Sequence, residues 1–183
     1  MLLTKEQRYL LEVLDKLGSL RRDQLTALIC AKFCTGQPER AQRLTDAMLR
    51  QLQFGNAALC IDGENISLPN IKLEPLRCEA VSVMLELSQS APLDFSARQR
   101  PPALLRFSTA GKRITLFAVL TADAWNNPLR PPPKLSPMER VILLPTGGDV
   151  PQAIPVPNKC FLAVLQEDGT HRFFEAATNQ KED

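Results

Sequence analysis

The chain has 183 residues, 44% of them hydrophobic, with 22 Lys and Arg against 20 Asp and Glu and a formal net charge of +2. That length permits one large domain or two small ones with a packed core, and the composition excludes a chain too polar to fold. The near balance of charge excludes a surface that attracts polyanions everywhere, so nucleic-acid contact has to come from local patches.

The opening stretch, MLLTKEQRYLLEVLDKLG, is charged throughout and reads as neither a signal peptide nor a membrane span. No run approaches the roughly 18 uninterrupted apolar residues that a span requires. The expectation is a cytoplasmic protein without membrane contact. Thr4 can cap a first helix with Leu10, Val13, Leu14 and Leu17 at helical spacing, and Gly18 can stop it. Ser19 then precedes a second helix over LRRDQLTALICAKF, with Leu25, Leu28, Ile29 and Phe33 inward. The third begins near Pro38, a good first-turn residue, and runs to about Phe54 with Ala41, Leu44, Met48 and Leu52 on its buried side.

At about 100° per residue, Arg40, Arg43 and Arg50 fall on a different stripe of that third helix, more than a right angle from its core face. After Gly55, AALCI and NISLP alternate as short strands around Asp62-Gly63, a hairpin signal. Three short helices followed by a hairpin in residues 1–70 resemble a winged helix-turn-helix domain. The resemblance implies that the third helix enters the major groove of double-stranded DNA and brings Arg40, Arg43 and Arg50 to phosphates or base edges, with Gln37, Gln42 and Gln51 adding hydrogen bonds. Between Ser19 and Phe54 six basic residues stand against three acids, but Asp62 and Glu64 at the wing tip would repel phosphates, so the wing is expected to stay out of the groove. The alternative is a winged helix used for dimerisation or protein docking.

NIKLEP serves as a linker, and EPLRCEAVSVMLELSQ reads as a helix with Leu76, Ala80, Val83, Met84 and Leu87 on one side. Strand candidates follow: FSARQ, ALLRFST, RITLFAVL, RVILLP, CFLAVLQ and HRFFEA, with turns at Ala110-Gly111, Gly147-Gly148 and Asp168-Gly169. The expected class is α+β: the winged helix of residues 1–70, then a mixed α/β sheet domain over 75–177, then a disordered tail over 178–183.

A helix-then-hairpin order behind a winged helix resembles the replication-relaxation and plasmid-mobilisation proteins of bacterial mobile elements, including uncharacterised clostridial relatives. Their second domain looks like a restriction-endonuclease fold, in which one strand opens with Pro-Asp and the next carries (Asp/Glu)-x-Lys; those carboxylates hold Mg²⁺ against the scissile phosphate. At the matching place this chain reads RPPALLRF, with Pro102 where the aspartate would stand, and RITLFAVLT has no acid and no internal lysine. The resemblance therefore implies a degenerate nuclease fold without catalysis, metal or cofactor. Relocated acids would have to come from Glu79 and Glu86, seven apart on one helix face, or from Asp94 and Asp123.

From Ser90 to Met138 seven basic residues face only two acids. Arg100, Arg106, Lys112 and Arg113 in the central hairpin are candidate contacts to a nucleic-acid backbone or an acidic partner, or simply the wet face of a sheet. The proline-rich NNPLRPPPKLSP, beside Trp125, reads as a stiff loop or a polyproline docking segment. The five cysteines, Cys30, Cys34, Cys60, Cys78 and Cys160, are odd in number, without CxxC spacing, and read as buried thiols. His171 is the only histidine and reads as an edge residue rather than a general base. The functional expectation is a non-catalytic DNA-binding accessory or regulatory factor of a plasmid or integrated mobile element. Its rivals are a protein-interaction scaffold with a dimerising winged helix, and a metal-dependent nuclease with relocated acids.

Overall fold

A computed structural model describes residues 2–55, 59–88, 90–98, 102–111, 113–122, 138–144 and 160–175. Arg100, Lys112, Asp123, Trp125, the proline-rich segment, the Gly147-Gly148 turn and the tail over 178–183 lie outside them.

Helix α1 (Lys5–Leu17) begins at a reciprocal cap. Gln7 N–H donates to Thr4 Oγ1 at 3.2 Å and Thr4 N–H donates to Gln7 Oε1 at 3.0 Å, satisfying two backbone donors that the helix leaves open. Gly18, at φ +81, ends it in a conformation that side-chain-bearing residues rarely adopt. Leu10, Val13, Leu14 and Leu17 are all buried, as their spacing predicts. The chain then departs from expectation. Residues Ser19–Arg21 form a strand, β1, and only then does helix α2 (Arg22–Phe33) start. Tertiary pairing overrides local helix preference here: Leu20, wholly buried, faces the equally buried Ile66 across a strand pair.

Helix α3 (Pro38–Phe54) has proline in its first turn and buries Ala41, Met48 and Leu52, with Leu44 half-buried. Strands β2 (Cys60–Asp62) and β3 (Asn65–Ser67) turn at Gly63, φ +56. The small antiparallel sheet has the order β1-β3-β2.

Helix α4 (Pro75–Leu87) buries Cys78, Ala80, Val81, Val83 and Met84. That is wider than the single apolar side expected of it, and Leu76, placed on that side, is 47% exposed. The reason is position. Helix α4 packs against α2 and β1 as well as against the large sheet, and a helix covered on two sides is apolar on two sides.

The large sheet runs β4 (Asp94–Ser96), β5 (Ala103–Thr109), β6 (Thr115–Leu120), β7 (Met138–Leu144), β8 (Cys160–Leu165) and β9 (His171–Glu175), in that spatial order. Its β6-β7 and β7-β8 pairs are parallel and the rest antiparallel. Alternation divides it into two faces. Phe95, Phe107, Phe117, Val119, Val141, Leu143 and Ala163 face α4, with the rings of Phe107 and Phe117 stacked at 4.9 Å. Ala118, Leu120, Ile142, Cys160 and Leu162 form a second cluster on the opposite face.

The described residues thus form a mixed α+β architecture of four helices and sheets of three and six strands. One apolar cluster runs from Leu10 of α1 through Leu25 of α2 and Met84 of α4 to Ala163 of β8, so the helical part and the large sheet share a core. No helix among them is long and apolar enough to cross a membrane. All five cysteines are unpaired, but the expectation that they are buried holds only in part: Cys34, Cys78 and Cys160 are buried, Cys30 is half-buried, and Cys60 is exposed on the short strand β2.

Candidate functional site

The arginines of α3 point to solvent because the helix spends its other side on α1 and α2. Arg40, Arg43 and Arg50 are all exposed. Each is folded back by about one turn onto its own helix: Arg40 Nη1 donates to Gln37 Oε1 at 3.2 Å, Arg43 Nε to the Glu39 carbonyl at 3.4 Å, and Arg50 Nε to the Asp46 carbonyl at 3.2 Å. Arg43 also lies 3.6 Å from the Glu39 carboxylate, both side chains at least 80% exposed. Exposed contacts of this kind are weak and screened, so a phosphate oxygen can replace them at little cost.

The glutamines of this helix are less available. Gln51 Oε1 accepts from Gln7 Nε2 of α1 at 2.9 Å, and Gln42 Nε2 donates to the Asp46 carboxylate. Arg22 ties α3 to the hairpin, with Nη1 2.8 Å from Asp46 and Nε 3.8 Å from Glu64. One of the two hairpin acids, Glu64, thereby has a basic neighbour.

The second predicted basic group is divided. Arg113 is exposed in the turn before β6, and Arg106 is half-buried on β5. Arg106 sits opposite Ala118, on the sheet face turned away from α4. Arg106 thus lies on the face of the sheet turned away from α4, whereas the α3 arginines lie on a helix packed against α1 and α2, and α2 packs against α4.

A polar cluster that sequence reading missed joins α4 to the edge strand β9. The His171 side chain is fully buried. Its Nδ1 lies 2.8 Å from Glu86 Oε1, its backbone N–H donates to Glu86 Oε2 at 3.0 Å, and its Nε2 is 3.5 Å from Glu79 Oε1. Burial by itself disfavours the charged imidazole and is the largest single influence, but hydrogen bonding and attraction from Glu79 and Glu86 together outweigh it and raise the pKa above the ordinary histidine value. The signal for this site was present as Glu79 and Glu86 on one helix face. Its histidine partner, 85 residues from Glu86, was not legible as such.

These contacts also bear on hydrolysis. Both glutamates that a relocated metal site would recruit are engaged with His171, and Asp94 is paired with Lys16 Nζ at 3.1 Å. In β6, Phe117, Ala118, Val119 and Leu120 are buried apolar residues. Among the described residues no group of three or more His, Cys, Asp or Glu is placed to hold a metal ion.

The chain matches no protein-family model, no curated protein and no solved structure.

Proposed function

We propose that this chain is a non-catalytic double-stranded DNA-binding protein of the winged-helix type, with α3 as the groove-facing helix. The observation that carries the reading is the order α1-β1-α2-α3-β2-β3 with a β1-β3-β2 antiparallel sheet, which leaves the arginine side of α3 uncovered. Arg40, Arg43 and Arg50 then supply phosphate and base-edge contacts. Gln51, held by Gln7, orients the helix instead of reading bases. The mixed sheet with α4 on one face supports a degenerate nuclease-like second part, and the sequence resemblance supports an accessory or regulatory role on a plasmid or integrated mobile element.

Each phosphate contact adds about 0.9 to the slope of log affinity against log salt. Wild-type protein is expected to bind a short duplex in fluorescence anisotropy with affinity falling as salt rises. Replacing Arg40, Arg43 and Arg50 together by alanine should reduce that slope by roughly 2 to 3. Unchanged duplex binding by the triple variant would refute the proposal.

A second reading, a dimerising or protein-docking scaffold, is favoured by Phe54, which is 89% exposed and one turn beyond Arg50 on the same side of α3. It predicts a mass that rises with concentration in light scattering and returns to the monomer value in Phe54→Ser, with no duplex binding.

A further inference from the structure

The face of the large sheet turned away from α4 carries two arginines in one cross-strand row. Ser96 pairs with Arg106, Arg106 with Ala118, Ala118 with Arg140, and Arg140 with Cys160. Adjacent strands lie about 4.8 Å apart, so the Arg106 and Arg140 backbones are separated by about 10 Å with only the Ala118 methyl between them. Two long side chains flanking a small residue can converge over that gap.

Arg140 is only 5% exposed, directly before the apolar run Val141–Leu144 of β7. Its Nη1 is buried without a hydrogen-bond partner, and so is Nε of Arg106. Neither arginine is ion-paired with a carboxylate among the described residues, where the ion pairs of arginine involve Arg21, Arg22, Arg43, Arg77 and Arg98. Among the described residues, neighbouring groups do not supply a negative charge. Burial pushes the Cys160 thiol up to about 11 despite the nearby Arg140 cation, so it stays neutral. Asp94, at the outer edge of the same face, is committed to Lys16, and Glu139 alternates onto the face that holds Phe117.

A guanidinium cannot neutralise itself by losing a proton, and burying it unpaired is costly. A planar fork with open donors is also the geometry that grips a tetrahedral oxyanion through paired hydrogen bonds. We propose that Arg140 and Arg106 form a binding site for a phosphate-type dianion on the sheet face away from α4. A dianion matches two single positive charges, which a monocarboxylate does not. The site is separate from α3, so its existence does not depend on the groove-facing reading of that helix.

The probe is inorganic phosphate, titrated at constant ionic strength against acetate as the monoanion control, with thermal unfolding and calorimetry as readouts. Wild-type protein should show saturable phosphate binding and a rise in Tm, with little response to acetate. Arg140→Met should abolish the saturable response and, because it removes a buried charge with no carboxylate partner among the described residues, should raise Tm in the absence of phosphate. Arg106→Met should weaken phosphate binding at least about tenfold, the loss of one charge-assisted contact. A phosphate effect that is linear and shared by all variants, an equal response to acetate, or a fall in the phosphate-free Tm of Arg140→Met would each overturn the site. Displacement of phosphate by a short duplex, whose phosphodiesters each carry a single negative charge, would overturn the dianion assignment. Phosphate binding that the duplex does not disturb supports it with a small phosphorylated molecule.

Discussion

His171 concentrates the consequences that single residues have for this protein. Its imidazole is enclosed, yet the two carboxylates of α4 hold its proton more firmly than the unfolded chain does. A histidine whose pKa is raised on folding contributes stability that is fully present below the unfolded value, about 6.5, and is lost as pH rises through the higher folded value. The urea midpoint is therefore expected to fall as pH rises above about 6.5, and His171→Leu should flatten that dependence in the same range. Removing the imidazole also leaves Glu79 without that partner and Glu86 with only the backbone N–H of position 171, at a cost of about 2 kcal/mol given their partial exposure. A midpoint that rises with pH over this interval would contradict the assignment. The pairing was half legible in the sequence, where the seven-residue spacing put both glutamates on one helix face. What it lacked was β9, whose alternation places His171 on the α4 side of the sheet through the register Leu165↔His171 and Ala163↔Phe173.

Among the elements, those governed by local chemistry were the most legible. Thr4 and Gln7 form the cap that opens α1, Pro38 opens α3, and the turn of β2 and β3 falls at Gly63. Thr4→Ala should cost about 1 kcal/mol in urea unfolding, because it leaves the Gln7 N–H without its acceptor; an undiminished midpoint would exclude the cap as a contributor. Strand ALLRFST coincides with β5, and the remaining strand candidates of the large sheet overlap β4 and β6 to β9. Strand β1 was not legible. Ser19–Arg21 has no local strand signal, and it extends because Gly18 turns the chain so that Leu20 meets Ile66, 46 positions later. The two-sided burial of α4 was equally hidden, since its sequence records apolar content but not which neighbours cover it.

Across the whole molecule, the decisive feature is the contact between the helical part and the large sheet. Gln24 of α2, 1% exposed, donates to the Cys78 carbonyl at 2.6 Å and to Ser82 Oγ at 2.9 Å, while its Oε1 accepts from Arg21 N–H. At the other end, Ala97 N–H donates to the Lys16 carbonyl at 3.0 Å, and Arg98 pairs with Asp15. With a core shared through α4, unfolding should be a single transition, coincident by far-UV circular dichroism and by hydrogen exchange in β5 to β8. Val83→Ala should lower stability by about 1 to 3 kcal/mol, and the loss should reach amides of α2 and of β6 alike. Protection lost on one side only would mean that the two parts unfold independently.

Taken alone, the sequence determines the helices, most strands, the turn at Gly63 and the separation of the α3 arginines from their core face, because caps, turns and periodicity act over a few residues. Tertiary structure alone decides that α4 is buried between two layers, that His171 meets Glu79 and Glu86, that Arg106 lies on the sheet face away from α4, and that Arg140 is enclosed without a carboxylate partner among the described residues. These depend on strand register and layer order, which bring residues tens of positions apart onto one face, and a one-residue slip in pairing would send each of them to the other side.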